Sequence, residues 1–355
     1  MKTLFALFFA LLPAVGMAAP LSGTKTIGAT GDYLTLAAAI ADINAQTLGG
    51  ALVLELQANY TVETLPLVIP SLAGASAANT VTIRPASAVA SPIVLTSADT
   101  TAATVDLNGA KFVILDGRPG GAGTAKRLTI ANSSTSGRAV RFINEASVNT
   151  LRHLTLQGVN TSASSGTVVF STTTGVNGND DNTISTCDIR DGASTPANGI
   201  FSSGSAEPAD NSGNTISACN IFNFYRSTAV DAAGVRVESG NNNWTISGNS
   251  FYQTASRAGV AATVRAIHLT NTSDNQHLVT GNFIGGTAPG AGGTAWTATG
   301  TTQPYVFVGI WLRVGNNTAT SVQGNTIRNF AWSSSSNATL QIGRASCRER
   351  VSSPV

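Results

Sequence analysis

A six-residue phrase recurs from residue 151 onward, and it constrains the fold more than any other feature of the chain. Its copies begin at residues 151, 184, 216, 246, 279 and 322 and read LRHLTL, ISTCDI, ISACNI, ISGNSF, VTGNFI and VQGNTI. Successive copies lie 33, 32, 30, 33 and 43 residues apart. A period of this length is typical of solenoids, in which each unit stacks on its neighbours because it cannot bury its apolar face alone.

Each repeat also contains a second apolar run. These runs lie at residues 139–142, 167–170, 199–201, 234–237, 266–269 and 309–312. Short runs of β-branched and aliphatic residues between Gly, Asn and Ser are typical of strands joined by tight turns. We therefore predict an all-β parallel β-helix over residues 105–341, in which each strand pairs with its counterpart in the next coil.

The phrase has a physical explanation. Its first and last apolar positions, five residues apart, each form a column that points inward. An odd offset requires a sharp turn between them, and we expect Gly and Asn there because both tolerate left-handed backbone angles. Stacked Asn side chains also form hydrogen bonds along the ladder. Cys187 and Cys219 occupy the Asn position, and we expect two stacked thiols rather than a disulfide or a metal site.

The beginning of the chain contains a helix pattern. Residues 35–45 are rich in Ala, and Leu36, Ile40 and Ile43 share one face. A β-helix exposes an unpaired edge at each end. We therefore expect residues 19–104 to form a capping helix and the first coils.

Both termini differ from the repeats. Lys2, an apolar run to Val15 and small residues to Ala19 indicate a signal peptide over residues 1–18, which places the protein in the secreted or cell-surface class. Residues 342–351 read IGRASCRERV, which resembles the translation of a sequencing adapter. We expect residues 342–355 to be a non-native tail on a truncated chain.

The charge balance excludes some partners. Without these two ends the chain keeps 16 Lys and Arg against 17 Asp and Glu, so the basic excess of the full sequence comes from the termini. No basic patch remains that would indicate nucleic acid. The apolar run near the N-terminus is too short to span a bilayer. We expect a monomer without a membrane span and without a cofactor.

Three further stretches precede the repeats: residues 26–40 read TIGATGDYLTLAAAI, the predicted strand at 49–56 reads GGALVLEL, and residues 69–83 read IPSLAGASAANTVTI. In these stretches the chain resembles the pectin-lyase-like right-handed β-helix proteins secreted by Bacteroidota, and the resemblance covers nearly all of the trimmed chain. It implies a right-handed coil. It also implies that a polysaccharide lyase or hydrolase is one possible activity, with Ca²⁺ held by clustered carboxylates or with paired Asp residues.

The motifs of those enzymes are missing. The sequence contains neither Gly-His-Gly nor Arg-Ile-Lys. Asp180 and Asp181 lie in a polar turn, where adjacent acids are usually just solvated. The run does not guarantee enough oxygen ligands for Ca²⁺, and no metal site is indicated.

Two outward columns are the best candidates for a site. In the first, Arg236, His268 and Trp311 follow Arg141 and Phe201, and Glu238 lies beside Arg236. These residues could bind an acidic sugar, with Trp311 as a stacking face and Arg236, Glu238 and His268 as catalytic candidates. The second column contains Gln157, Arg190, Phe222, Tyr252 and Arg328. Of these, Arg190, Phe222 and Tyr252 are candidates for an exposed sugar-binding strip, although the aromatic residues could equally pack under loops.

The insert that lengthens the last period, around residues 285–304, contains Trp296. Insertions in repeat proteins often lie on the binding face. Two hypotheses follow for the whole chain. The first is an extracellular scaffold or binding module that contacts polysaccharides, and the alternative is a polysaccharide lyase or glycoside hydrolase that acts on an acidic polysaccharide.

Overall fold

The computed structural model describes residues 19–299, 306–315, 317–332 and 339–345. The expected signal peptide lies outside the described residues, as do residues 300–304 of the insert and residues 346–355 of the expected tail. For residues 339–345 only the backbone is described, as a strand that pairs with Val306–Val314.

The described residues form a parallel β-solenoid of about nine turns, as the repeat predicts. Three long sheets, which we name face A, face B and face C, run along the coil. From Leu67 onward the chain passes through them in the order B, A, C in each turn. The ten described strands of face A are Leu21–Ile27, Leu48–Leu56, Val81–Pro85, Val113–Asp116, Thr150–Arg152, Thr183–Ser185, Thr215–Ser217, Thr245–Ser247, Leu278–Thr280 and Ser321–Gln323.

The other two faces are built in the same way. The nine described strands of face B are Leu67–Pro70, Ala103–Asn108, Arg138–Ile143, Val168–Phe170, Asn198–Ser202, Ala232–Val237, Thr263–Asn271, Val306–Val314 and Thr339–Ala345. The eight described strands of face C are Ile93–Ser97, Leu128–Asn132, Thr155–Gly158, Asp188–Asp191, Asn220–Phe222, Ser250–Tyr252, Phe283–Ile284 and Thr326–Ile327.

Short elements decorate the corners of the coil. Two small parallel sheets join Asn211–Ser212 with Asn241–Asn242, and Arg257–Ala258 with Trp296–Thr299 and Phe330–Trp332. Two single 3₁₀ turns lie at Pro119–Gly121 and Pro289–Ala291.

The capping helix is confirmed at Leu36–Gln46. Thr35 caps it by accepting a hydrogen bond from the Ala38 N–H, and the Glu63 carboxylate accepts another from the Leu36 N–H at 2.6 Å. Its buried face contains the predicted Leu36, Ile40 and Ile43. The helix packs against the first strand of face B, Leu67–Pro70. No helix among the described residues is long and apolar enough to cross a membrane.

Both predicted inward columns are confirmed. The first positions of the phrase pair in register along face A, and the last positions do so along face C. Leu151 and Ile246 on face A, and Leu156 and Phe251 on face C, are fully buried. Val322 in the last copy is 43% exposed and lies in the last described strand of face A.

The turn between the two columns differs in one detail from the prediction. The residue with left-handed backbone angles is the third of the phrase, at Gly248 (φ 64°) and Gly281 (φ 63°), whereas Asn249 and Asn282 are absent from the positive-φ positions. The Asn side chains instead point inward and form a ladder, in which Oδ1 of Asn282 accepts from the Asn249 N–H at 3.0 Å. Asn at this position therefore satisfies buried backbone groups.

Cys187 and Cys219 take that inward position in two adjacent coils. Both thiols are free and buried, as predicted. The Cys187 Sγ lies 3.6 Å from the Leu151 carbonyl oxygen, and the Cys219 Sγ lies 3.6 Å from that of Ile184. Each thiol thus takes the place of an Asn amide as a weak donor to the preceding coil.

Candidate functional site

The first candidate site lies on the outer surface of face B. Arg236, His268 and Trp311 lie on three adjacent strands of this face, and they are paired in register, as the repeat predicts. The same column continues backward through Phe201 and Val169 to Arg141. The alignment of these side chains is therefore observed, whereas their roles as ligand-contacting or catalytic groups stay a prediction.

Arg236 and Glu238 form an ion pair. Arg236 donates to Oε1 of Glu238 from Nε at 2.8 Å, and its terminal Nη2 lies 2.6 Å from the same oxygen. The two side chains are 15% and 27% exposed. The pair presents donors and an acceptor at the surface while its net charge is zero, which is a chemistry that suits sugar hydroxyl groups.

Arg265, which was not predicted, belongs to the same group of side chains on face B. Its Nη1 donates to Oδ2 of Asp231 at 2.8 Å, and its guanidinium carbon lies 4.5 Å from the centroid of the Trp311 ring. This is cation–π distance. Arg265 is 7% exposed, and its Nε has no hydrogen-bond partner among the described residues.

A break in the strand alternation explains the omission. A Cβ added to Gly234 would lie 2.5 Å from the Phe251 ring inside the coil, yet the next residue, Val235, is also fully buried. Two consecutive residues thus face the core, and the register carries this pattern to Ala266 and Ile267 in the next strand. Strict period-two alternation from His268 would place Arg265 inside, whereas the break places it outside.

His268 lies between Arg236 and Trp311 and is 6% exposed. Burial, and then the positive charges of Arg265 and Arg236, lower the pKa of His268 to about 3. Its ring centroid lies 5.9 Å from that of Trp311 in an edge-to-face arrangement, and its Nδ1 has no hydrogen-bond partner in the described part of the chain. The imidazole is therefore neutral near pH 7 and a weak base, which disfavours a role as general base.

The second predicted column, on face C, forms a stack. The rings of Phe222 and Tyr252 lie 4.7 Å apart and nearly parallel, and the guanidinium of Arg190 lies 5.4 Å from the centre of the Phe222 ring. However, Phe222 and Tyr252 are only 9% and 6% exposed. Of the two arrangements expected for this column, the structure therefore shows the packed one, and a role of Arg190, Phe222 and Tyr252 in sugar binding stays a prediction.

The insert explains part of this burial. Its 3₁₀ turn at Pro289–Ala291 packs beside the strand Ser250–Tyr252, and the Gly290 N–H donates to Oγ of Ser250 at 3.0 Å. Trp296 of the insert is fully buried and packs edge-on against Phe224. The described part of the insert thus covers face C and fills the core, and it does not offer Trp296 to a ligand.

A groove at the corner between faces B and A was also missed. It has a volume of about 650 Å³ and is lined by Glu207, Asp210, Asp274 and the amides of Asn242 and Asn275, among others. Burial, with the nearby charges of Asp210 and Glu207, raises the pKa of Asp274 to about 7. The available signal was the recurrence of Asp and Asn in the same turn of successive coils.

Asp180 and Asp181, which we expected to be solvated, lie near this groove but differ in environment. Asp181 is exposed, whereas Asp180 is half-buried and accepts a hydrogen bond from the Ser212 N–H at 2.8 Å. Burial, and the charge of Asp210, raise the pKa of Asp180. Within the described ranges, no group of three or more His, Cys, Asp or Glu side chains is placed to hold a metal ion.

Comparison with known proteins gives little more. No protein-family model matches the chain, and no curated protein matches it. Among solved structures, the chain is similar to the crystal structure of an alginate lyase from Paenibacillus sp. str. FPU-7. That similarity has 13% sequence identity and a TM-score of 0.42, and it covers 91% of this chain and 99% of the other. At this level the similarity assigns neither an activity nor a site.

Proposed function

We propose that the protein is an extracellular β-solenoid that binds polysaccharide on face B without cleaving it. The observation that carries this proposal is the environment of Arg236, Glu238 and His268 on face B. The Arg236 guanidinium is paired with Glu238, and His268 is buried and held neutral with a low basicity. These groups can form hydrogen bonds to a ligand, but they are poorly set up to remove a proton from it.

The half-buried Trp311 ring would supply a face for a sugar ring. Arg265 already lies against it, and Arg236, which is paired with Glu238, lies two strands away in the same column. An aromatic face beside paired polar groups is a common way to hold a pyranose ring, because the apolar face of the sugar stacks while its hydroxyl groups are bound at the rim. Secretion and glycan contact remain parts of this proposal.

A titration of the protein with a panel of neutral and acidic polysaccharides would test it. We expect saturable binding without release of reducing or unsaturated ends. Trp311→Ala and Arg236→Ala should each weaken binding at least tenfold, which corresponds to about 1.4 kcal/mol. The matched control is Arg84→Ala, because Arg84 forms a similar ion pair with Glu55 on face A. Equal affinity in all three variants would contradict the face B site.

One observation favours the alternative of a glycoside hydrolase, at a different place. In the corner groove, Asp274 has a pKa of about 7 beside the carboxylates of Asp210 and Glu207. A carboxyl group with a raised pKa beside other carboxyl groups is an arrangement that suits the acid in glycoside hydrolysis. If the protein released sugar products, and Asp274→Asn abolished this release while Trp311→Ala did not, the hydrolase would replace the binding module.

A further inference from the structure

A second groove lies at the N-terminal end of face C. It has a volume of about 790 Å³ and runs between the first strand of that face, Ile93–Ser97, and residues 58–65. Residues 58–65 follow the second strand of face A, Leu48–Leu56. They therefore take the place of a face C strand in the coil before that of Ile93–Ser97, but they form no strand. The groove is thus a gap where the pairing strand would lie.

The backbone of Ile93–Ser97 leaves hydrogen-bonding groups open toward this gap. The Ile93 N–H donates to the Arg127 carbonyl, and the Ser97 carbonyl accepts from the Ser133 N–H, so the odd-numbered residues point to the neighbouring strand. In a parallel ladder the residues between them point the other way. The N–H and C=O groups of Val94 and Thr96 therefore face the groove, and no described strand lies on that side.

At the same end, helix Leu36–Gln46 packs against the first strand of face B, and face A begins two coils earlier than face C. An uncovered strand edge is a template for pairing with another chain, and proteins usually block such edges with charges or covering elements. Here the outward side chains are Val94, which is 56% exposed, and Thr96, which is also exposed.

The chemistry of the lining indicates what the groove would accept. Its walls contain the apolar side chains of Leu65, Val89 and Pro92, and Glu63 is the single charged residue among those that line it. The Glu63 carboxylate is already engaged, because it accepts from the Leu36 N–H at 2.6 Å and from the Tyr60 hydroxyl at 2.6 Å. An uncharged occupant is therefore favoured over a charged one.

We propose that this groove binds an extended, uncharged segment of a partner protein as an added strand of face C. A polypeptide strand supplies donors and acceptors at the spacing of the open groups on Val94 and Thr96, and it continues a ladder that already runs through eight described strands. This is strand addition, in which backbone hydrogen bonds give affinity and alternate side chains give specificity.

The probe is an acetylated and amidated peptide with the sequence Leu128-Thr-Ile-Ala-Asn132, which already pairs with the other edge of Ile93–Ser97. We expect the peptide to shift the amide resonances of Val94 and Thr96 in a saturable way. In the free protein, these two amides should exchange with solvent faster than that of Leu95. Protection of both amides without peptide, or no binding of the peptide, would overturn the proposal.

Thr96→Pro is the decisive variant. It removes the backbone N–H that would donate to the added strand and that no described strand accepts from. Proline is tolerated at such an edge position. It should weaken peptide binding at least tenfold, whereas Thr96→Val should not. If Thr96→Pro lost the native circular dichroism spectrum, Val94→Lys would serve instead, as a charge on the edge. Sedimentation that showed dimers abolished by either variant would identify a second copy as the occupant and overturn the proposal.

Discussion

Oδ1 of Asn282 accepts two hydrogen bonds from Asn249, one from the backbone N–H and one from Nδ2, each at 3.0 Å. Both residues are fully buried. The Asn249 Nδ2 also donates to the Ile216 carbonyl at 2.9 Å, so one amide connects three successive coils.

Asn282→Leu should therefore lower the free energy of unfolding by about 3 kcal/mol, because it leaves two buried donors without an acceptor. Urea denaturation followed by circular dichroism measures this loss. Asn177→Ala, at an exposed side chain, is the control and should change stability by less than about 0.5 kcal/mol. A similar small effect of both substitutions would show that the ladder does not stabilise the coil.

The residue before each ladder position gives a prediction of opposite sign. Thr186 has a φ of 52°, where a β-branched residue is strained, and Gly occupies the same place at Gly248 and Gly281. Relief of this strain exceeds the entropic cost of Gly, so Thr186→Gly should stabilise the protein by about 1 kcal/mol.

The reciprocal change, Gly248→Ala, tests the same argument. The nearest atom to an added Cβ would be 3.9 Å away, so the substitution meets no clash and reports the backbone angle alone. It should destabilise the protein by about 1 kcal/mol. Denaturation midpoints of both variants that moved in the same direction would refute the explanation.

The repeat predicted the coil because stacking imposes one pattern on every turn. Each inward side chain must fit the equivalent side chains in the coils before and after it. The pairing of Ile184 with Ile216 can therefore be predicted from their equivalent positions in the repeat. The ladder position was predictable for the same reason. These features depend on contacts between equivalent residues of successive coils, and the repeat length is enough to identify which residues are equivalent.

The candidate site was harder to predict because it depends on departures from that pattern. Arg265 lies outside because two consecutive residues of its strand face the core. Nothing in the local sequence indicates this break in the alternation of inward and outward side chains. Tyr252 is buried because an insert some 40 residues later packs beside its strand. Such contacts between unequal segments leave no periodic signal.

The two inward thiols should be inert in the folded protein. Burial, and the adjacent Cys219, raise the pKa of the Cys187 thiol well above its usual range. A chain with Cys347→Ser, in which Cys187 and Cys219 are the remaining thiols, should react with a thiol reagent only as fast as it unfolds. Rapid reaction of either thiol in native buffer would contradict the buried placement.

Asp274 should make stability fall as the pH rises. Its pKa is about 7 in the folded protein against 3.8 for an ordinary Asp, so between these values the folded state binds more protons than the unfolded state. Its contribution is therefore most favourable below pH 4 and is lost by about pH 7. Asp274→Asn should flatten this part of the profile and stabilise the protein at pH 8 relative to the wild type.

A difference curve between wild type and Asp274→Asn isolates this effect from other titrating groups. His268 acts in the opposite direction, because its pKa is lowered to about 3, and its contribution to stability increases as the pH rises toward 6.5. The wild type and Asp274→Asn share this contribution of His268, so it cancels in the difference curve. A difference curve that is flat between pH 4 and 7 would show that the Asp274 carboxyl is ionised normally.

Arg265 and Asp231 provide the test of the cluster that the sequence did not reveal. Asp231→Ala would leave a guanidinium that is 7% exposed without its carboxylate, and this should cost about 2 kcal/mol, less than for a fully buried pair because the Asp231 side chain is 40% exposed. Arg265→Met combined with Asp231→Ala should recover part of this loss, since the methionine packs on Trp311 without a charge. A double-mutant cycle from urea denaturation measures the coupling, and a value below about 0.5 kcal/mol would mean that the pair does not hold the Trp311 face in place.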